Sequence, residues 1–249
     1  MKNFLFVCVL VFLAGCQSTS PKYLPTTELK TNYPRLAVSG LLLPNELSSF
    51  RNKIEPLVAS DLLSELKNRG FTVVSADRLY QIRSELRQNA TELYDPVTGE
   101  YDELKGQEIW LQALQQAKSE LNVDAFLFVG ITVVSAHFSN NLGSMYNASW
   151  DGQQEYALWQ EHGVGSMLGS FFVQETGRLA ATSLYIRIAD AKDNTLTYGA
   201  GGIELLSKFD DSNKAIGKSA EQLFNDAGVI KQALQRALNR IDTHKVKPK

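Results

Sequence analysis

Cysteine is nearly missing from this 249-residue chain, with only Cys8 and Cys16 present, both near the start. No disulfide framework is available to the remainder, so its stability rests on a packed core. Histidine is equally scarce. His137, His162 and His244 lie far apart with no HExxH or paired-ligand spacing, which excludes a recognisable metal site. Basic charge is not in excess either. Without its first fifteen residues the chain keeps 24 of its 25 Lys and Arg against 27 Asp and Glu, a net charge of −3 that leaves no electrostatic footprint for nucleic acid. There is also no apolar run of the roughly 20 residues that a membrane-spanning helix needs.

A short apolar run is present at residues 4–13, preceded by Lys2 and followed by Leu13-Ala14-Gly15-Cys16. That arrangement matches the lipobox of a bacterial lipoprotein signal peptide. The sequence therefore predicts a signal over residues 1–15 and a covalent lipid on Cys16. Gln17, not Asp, follows the cysteine, which by the sorting rule of enteric-type bacteria directs the protein to the outer membrane, facing the periplasm. Residues 16–33 then read as a polar tether interrupted by Pro21 and Pro25. The remaining stretch, 34–244, is long enough for one domain with a hydrophobic core.

Apolar patterning gives an α+β, sandwich-like fold: a central mixed β-sheet flanked by helices. Residues 35–43 form a nearly continuous apolar strand. Pro56 predicts the start of a helix over 56–68, with Leu57, Leu62, Leu63 and Leu66 inward and Gly70 as its stop. A strand at 71–75 leads to a helix capped by Asp77 and carrying Leu79, Ile82 and Leu86. After a turn-rich segment at 89–106, Ile109, Leu111, Leu114, Ala117 and Leu121 mark a further helix. Residues 124–134 read as a central strand. Strict alternation from Ala180 to Ile188 places Ser183, Tyr185 and Arg187 on one face of a half-buried strand. A hairpin turn at Asp193-Asn194 follows, then a strand at 195–205, and a last helix at 219–241 that Gly228 interrupts.

The segment 138–177 is long for a connection between two strands and reads as a hairpin-like insertion rich in aromatics and glycine. It collects Phe138, Met145, Tyr146, Trp150, Tyr156, Trp159, Phe171 and Phe172, the candidate interaction surface. The alternative is a lid whose rings pack on the sheet. Gly163-Val164-Gly165 lacks the strand and the Lys-Ser/Thr ending of a phosphate loop, and Ser166 with His162 and Asp151 lacks a nucleophile elbow. No catalytic set is signalled, and no cofactor other than the lipid.

Four places resemble the CsgG-type group of envelope lipoproteins, which includes the curli export channel, the peptidoglycan-synthase activator LpoB and, more distantly, the N-terminal domain of TolB. They are the Pro56 helix with Gly70-Phe71-Thr72-Val73-Val74, the strand Val123-Asp124-Ala125-Phe126-Leu127-Phe128-Val129-Gly130, the hairpin strand Leu184-Tyr185-Ile186-Arg187-Ile188-Ala189-Asp190, and the lipobox. The resemblance implies a non-enzymatic outer-membrane lipoprotein that binds and supports another envelope component, held to the membrane by its lipid. A second reading is an oligomeric export-channel subunit for polypeptide or polysaccharide, with other copies of the chain as partners. The third is a glycan- or small-ligand-binding module. The channel members insert two membrane hairpins per subunit, and this chain has room for at most one.

Overall fold

The computed structural model describes residues 23–90, 93–139, 147–157, 176–210 and 214–244. It shows an α+β sandwich built on one mixed, seven-stranded sheet. The central strand is β3 (Ala125–Ser139), with β1 (Arg35–Leu42) parallel to its first half and β2 (Thr72–Ser75) parallel to β1 at the sheet edge. On its other side β3 pairs antiparallel with β6 (Thr176–Ala189) over its whole length, and β6 pairs with β7 (Thr195–Leu205). The last turn of β3 also pairs with β4 (Asn147–Trp150), which pairs with β5 (Gln153–Tyr156).

Both faces of β3 are apolar up to Ile131 because both are covered there, and beyond it exposed and buried positions alternate. On one face Leu127, Val129 and Ile131 meet α2 (Arg51–Asn68) and α5 (Ala227–Asp242). On the other, Phe126 and Phe128 meet α3 (Asp77–Asn89) and α4 (Glu103–Leu121). A three-residue ribbon, β8 (Ser207–Phe209) with β9 (Ala215–Gly217), leads into α5.

Several expectations shift on detail. The helix read from Pro56 begins five residues earlier, at Arg51, after a 3₁₀ turn at Asn45–Phe50. Its inward face is Ile54, Val58, Leu62 and Leu66, a strict four-residue repeat, which leaves Leu57 and Leu63 exposed. Asp77 is the first residue of α3 and not its cap; the Ser75 hydroxyl accepts from the Asp77 N–H instead. Gly228 does not break the last helix. Asp226 precedes α5 and accepts from the N–H groups of Gly228 and Val229, so the glycine lies in the first turn.

The predicted tether also ends sooner than residue 33. Leu24 and Leu29 carry α1 (Thr26–Asn32) onto the core beside α5, and the Leu24 N–H donates to Leu196 O at 2.8 Å. A segment polar overall is drawn in by Leu29 on a short helix and Leu24 just before it.

Glycine sets the packing where α5 crosses β7. A Cβ on Gly199 or Gly201 would stand 2.1 and 2.0 Å from the carbonyl oxygens of Ala237 and Ala233, so the helix backbone lies directly on the strand.

Candidate functional site

The described part of the aromatic insertion is folded in. At the far end of the sheet β5 comes round to meet β7: Gln153 Nε2 donates to Ile203 O at 3.1 Å, Leu205 N to Glu155 Oε2 at 2.8 Å and Gly202 N to Asp151 O at 3.1 Å. The curl encloses a small core of Ala136, Phe138, Ala148, Leu179, Ala181 and Leu205. Trp150 enters it with 7% of its surface exposed, and its indole N–H donates to Thr182 O at 2.9 Å.

This corrects two members of the expected interaction surface. Phe138 and Trp150 are core residues, because inward positions on β3 and β4 point into the curl. Phe138 packs edge-on against Phe209 at 4.6 Å. Tyr156 faces out, at 36% exposure. Met145, Tyr146, Trp159, Phe171 and Phe172 lie outside the described residues, as does Cys16. Asp151 accepts from the Ser183 hydroxyl at 2.7 Å and from Arg240 at 2.8 Å, both structural roles; Ser166 and His162 lie outside the described residues.

The face of the sheet that carries α3 and α4 holds a different constellation. Phe128 of β3, Tyr185 and Arg187 of β6 and Tyr198 of β7 share it by strand alternation. Tyr185 and Tyr198 stack at 6.3 Å with their planes 14° apart. The helices add Tyr80 and Arg83 from α3 and Trp110 from α4, which with Phe128, Tyr185 and Arg187 wall a recess of about 230 Å³. Past Tyr80 and Arg83 a second recess of about 420 Å³ runs along α3 to Arg87, Gln88 and Tyr94.

The β6–β7 turn fixes the geometry. Asp193, at φ 61°, accepts from Arg187 Nη1 at 2.8 Å and from the Trp110 indole N–H at 3.1 Å. One carboxylate thereby orients a guanidinium and an indole together. The Arg187 guanidinium lies 4.8 Å from the Phe128 ring centre, Arg83 lies 5.1 Å from that of Trp110, and Arg87 lies 5.9 Å from that of Tyr101. Burial pushes the phenols of Tyr80, Tyr185 and Tyr198 above their ordinary range, so they stay neutral.

Chemically this surface can stack rings and pair anions. Its lining sets Arg83, Arg87 and Arg187 among Tyr80, Tyr94, Tyr185, Trp110 and Phe128. Among the described residues no group of His, Cys, Asp and Glu is arranged to hold a metal ion. His137 is exposed on β3, and His244 Nε2 lies 2.9 Å from Tyr198 O with its ring 5.2 Å from Tyr23. A third, more apolar recess of about 350 Å³ lies between α2 and the edge strand β2, beside Leu62, Leu63 and Val73.

Sequence reasoning placed Tyr185 and Arg187 on the polar face of their strand but passed over Tyr80, Arg83, Arg87 and Trp110. The available signal was Tyr80, Arg83 and Arg87 at spacings of three and four, one stripe of a helix.

No family model and no curated protein matches the chain. Among solved structures it is similar to a neuraminyllactose-binding hemagglutinin homolog from Helicobacter pylori, at 8% identity and a TM-score of 0.35, over 93% of this chain and 92% of that one.

Proposed function

We propose that this protein is a non-enzymatic outer-membrane lipoprotein, anchored through a lipid on Cys16 and facing the periplasm, that binds and supports another component of the cell envelope. The observation that carries the binding role is the aromatic and arginine-lined recess between α3, α4 and the sheet. Its rings and guanidiniums are held in place by the protein's own contacts while their outer surfaces border open space. Such preorganised groups lose little freedom when a partner docks. The lipobox and Gln17 supply the anchor and its destination, and the CsgG-type resemblance supplies the accessory role.

The export-channel alternative draws less support. Among the described residues of the insertion, β4 and β5 are four residues each, and a membrane-crossing strand needs about 9–11. The recess serves the ligand-binding alternative as well as the leading one, since an envelope component reaches it through whatever group it presents.

The test is a photo-crosslinking residue at Gln88, exposed on the rim of the recess, in intact cells. The expected result is a discrete adduct with one envelope component, lost when Arg83 and Arg87 are both changed to Ala. Absence of any adduct, or an adduct indifferent to those changes, overturns the reading.

A further inference from the structure

We propose that the recess along α3 is a binding site for an oxyanion, a carboxylate or a phosphate, carried on a ring. The proposal deepens the binding role and rests on it. Three arginines, Arg83, Arg87 and Arg187, line the two joined recesses, and no acidic side chain does. That concentration of positive charge stands out on a chain whose formal net charge is −2.

The three guanidiniums are not equivalent. Arg187 is neutralised by Asp193 at 2.8 Å and serves the framework. Arg83 and Arg87 pair with no carboxylate among the described residues; Arg87 donates only to the Tyr94 hydroxyl, at 3.2 Å. Arg83 Nε is buried with no acceptor. A buried donor without a partner is costly, and a charged one more so, which leaves the Arg83 guanidinium with unused hydrogen-bonding capacity.

Orientation points the same way. Arg83 and Arg87 each rest on an aromatic ring, Trp110 and Tyr101, and sit one helical turn apart. Planar guanidiniums held in this way present their N–H forks for two-point pairing with a carboxylate or phosphate. The ring requirement comes from the neighbours. Tyr80 and Trp110 border the smaller recess and Tyr94, 51% exposed, borders the larger, offering flat surfaces on which a sugar or aromatic ring stacks. The larger recess, about 420 Å³, falls in the range of about 300–1,000 Å³ usual for small-molecule sites.

The experiment titrates the purified chain calorimetrically with glucuronate, glucose 6-phosphate, glucose and inorganic phosphate. Glucuronate and glucose 6-phosphate share one ring and differ in the anion, so whichever binds names the source. Glucose lacks the anion and phosphate lacks the ring. The expected result is saturable binding of at least one anionic sugar, at least tenfold tighter than glucose or inorganic phosphate. Arg83→Gln and, separately, Arg87→Gln weaken it at least tenfold with unchanged melting temperature. Equal binding of glucose, indifference to both variants, or no binding of either anionic sugar overturns the proposal. If the anionic sugars fail while the Gln88 adduct persists and still depends on Arg83 and Arg87, the ligand chemistry falls and the broader binding role stands.

Discussion

Trp150 and Tyr156 belong to the same small hairpin and end on opposite sides of it, and composition alone does not separate them. With strands of four residues the alternation is too short to read, so a sequence dense in aromatics reveals that rings are present and not which way they point. The structure makes the difference measurable. Trp150→Ala removes a buried indole hydrogen-bonded to Thr182 and is expected to cost about 3–5 kcal/mol in urea melts. Tyr156→Ser is expected to change stability by no more than about 0.5 kcal/mol. Gly130 is a second such position. A Cβ there would stand 2.7 Å from Leu42 O and 2.6 Å from the Tyr185 hydroxyl, so Gly130→Leu forces β1 and β3 apart at about 1–3 kcal/mol or more. His137→Ala, on an exposed site of the same strand, should leave the melting temperature and the Gln88 adduct unchanged.

Elements were more legible than residues wherever a pattern ran long enough. β1 and β3 emerge from continuous apolar runs, and β6, α4 and the body of α5 from apolar periodicity; α5 itself begins at Ala227, eight residues after the predicted 219, behind a 3₁₀ turn at Ala220–Gln222. The α2 start was misplaced because Pro56 suits a first turn and gives no sign that a 3₁₀ turn at Asn45–Phe50 already leads into the helix. The side-chain ties between elements leave no trace in periodicity at all. Glu65 of α2 accepts from Gln235 of α5 at 2.9 Å and pairs with Arg69, which reaches Asp242 of α5 at 3.1 Å. The hydrogen bond from Gln235, then that from Arg69, holds the Glu65 carboxyl below its ordinary value. A carboxyl depressed in the folded state adds stability above its unfolded pKa, about 4.3 for glutamate, and loses it as pH falls through the lower folded value. Glu65→Gln should therefore lower the urea midpoint at pH 7, and the gap to wild type should narrow as pH falls below about 4. A gap that stays constant with pH would mean that Glu65 acts by packing and not by charge.

For the whole molecule, the recess on α3 was hidden because its parts are 107 residues apart in sequence, from Tyr80 to Arg187, and only the sheet brings them together. The anchor is the reverse case, written in one short stretch of sequence. Residues 16 to 23 span at most about 3.3–3.6 Å each, roughly 25 Å in all, before Tyr23 stacks near His244 and Tyr198. The proposed lipid on Cys16 would thus keep the end of α5 and the edge of β7 beside the bilayer. The chain without its first fifteen residues carries a net charge of −3, with Lys245, Lys247 and Lys249 as a short basic tail after α5. Cys16→Ser is expected to abolish metabolic labelling with palmitate and to move the protein from the outer-membrane fraction to the soluble one, with an unchanged melting temperature for the folded body. A wild-type protein that is unlabelled and soluble, or a Cys16→Ser protein that remains with the membrane, would show that something other than this lipid places it.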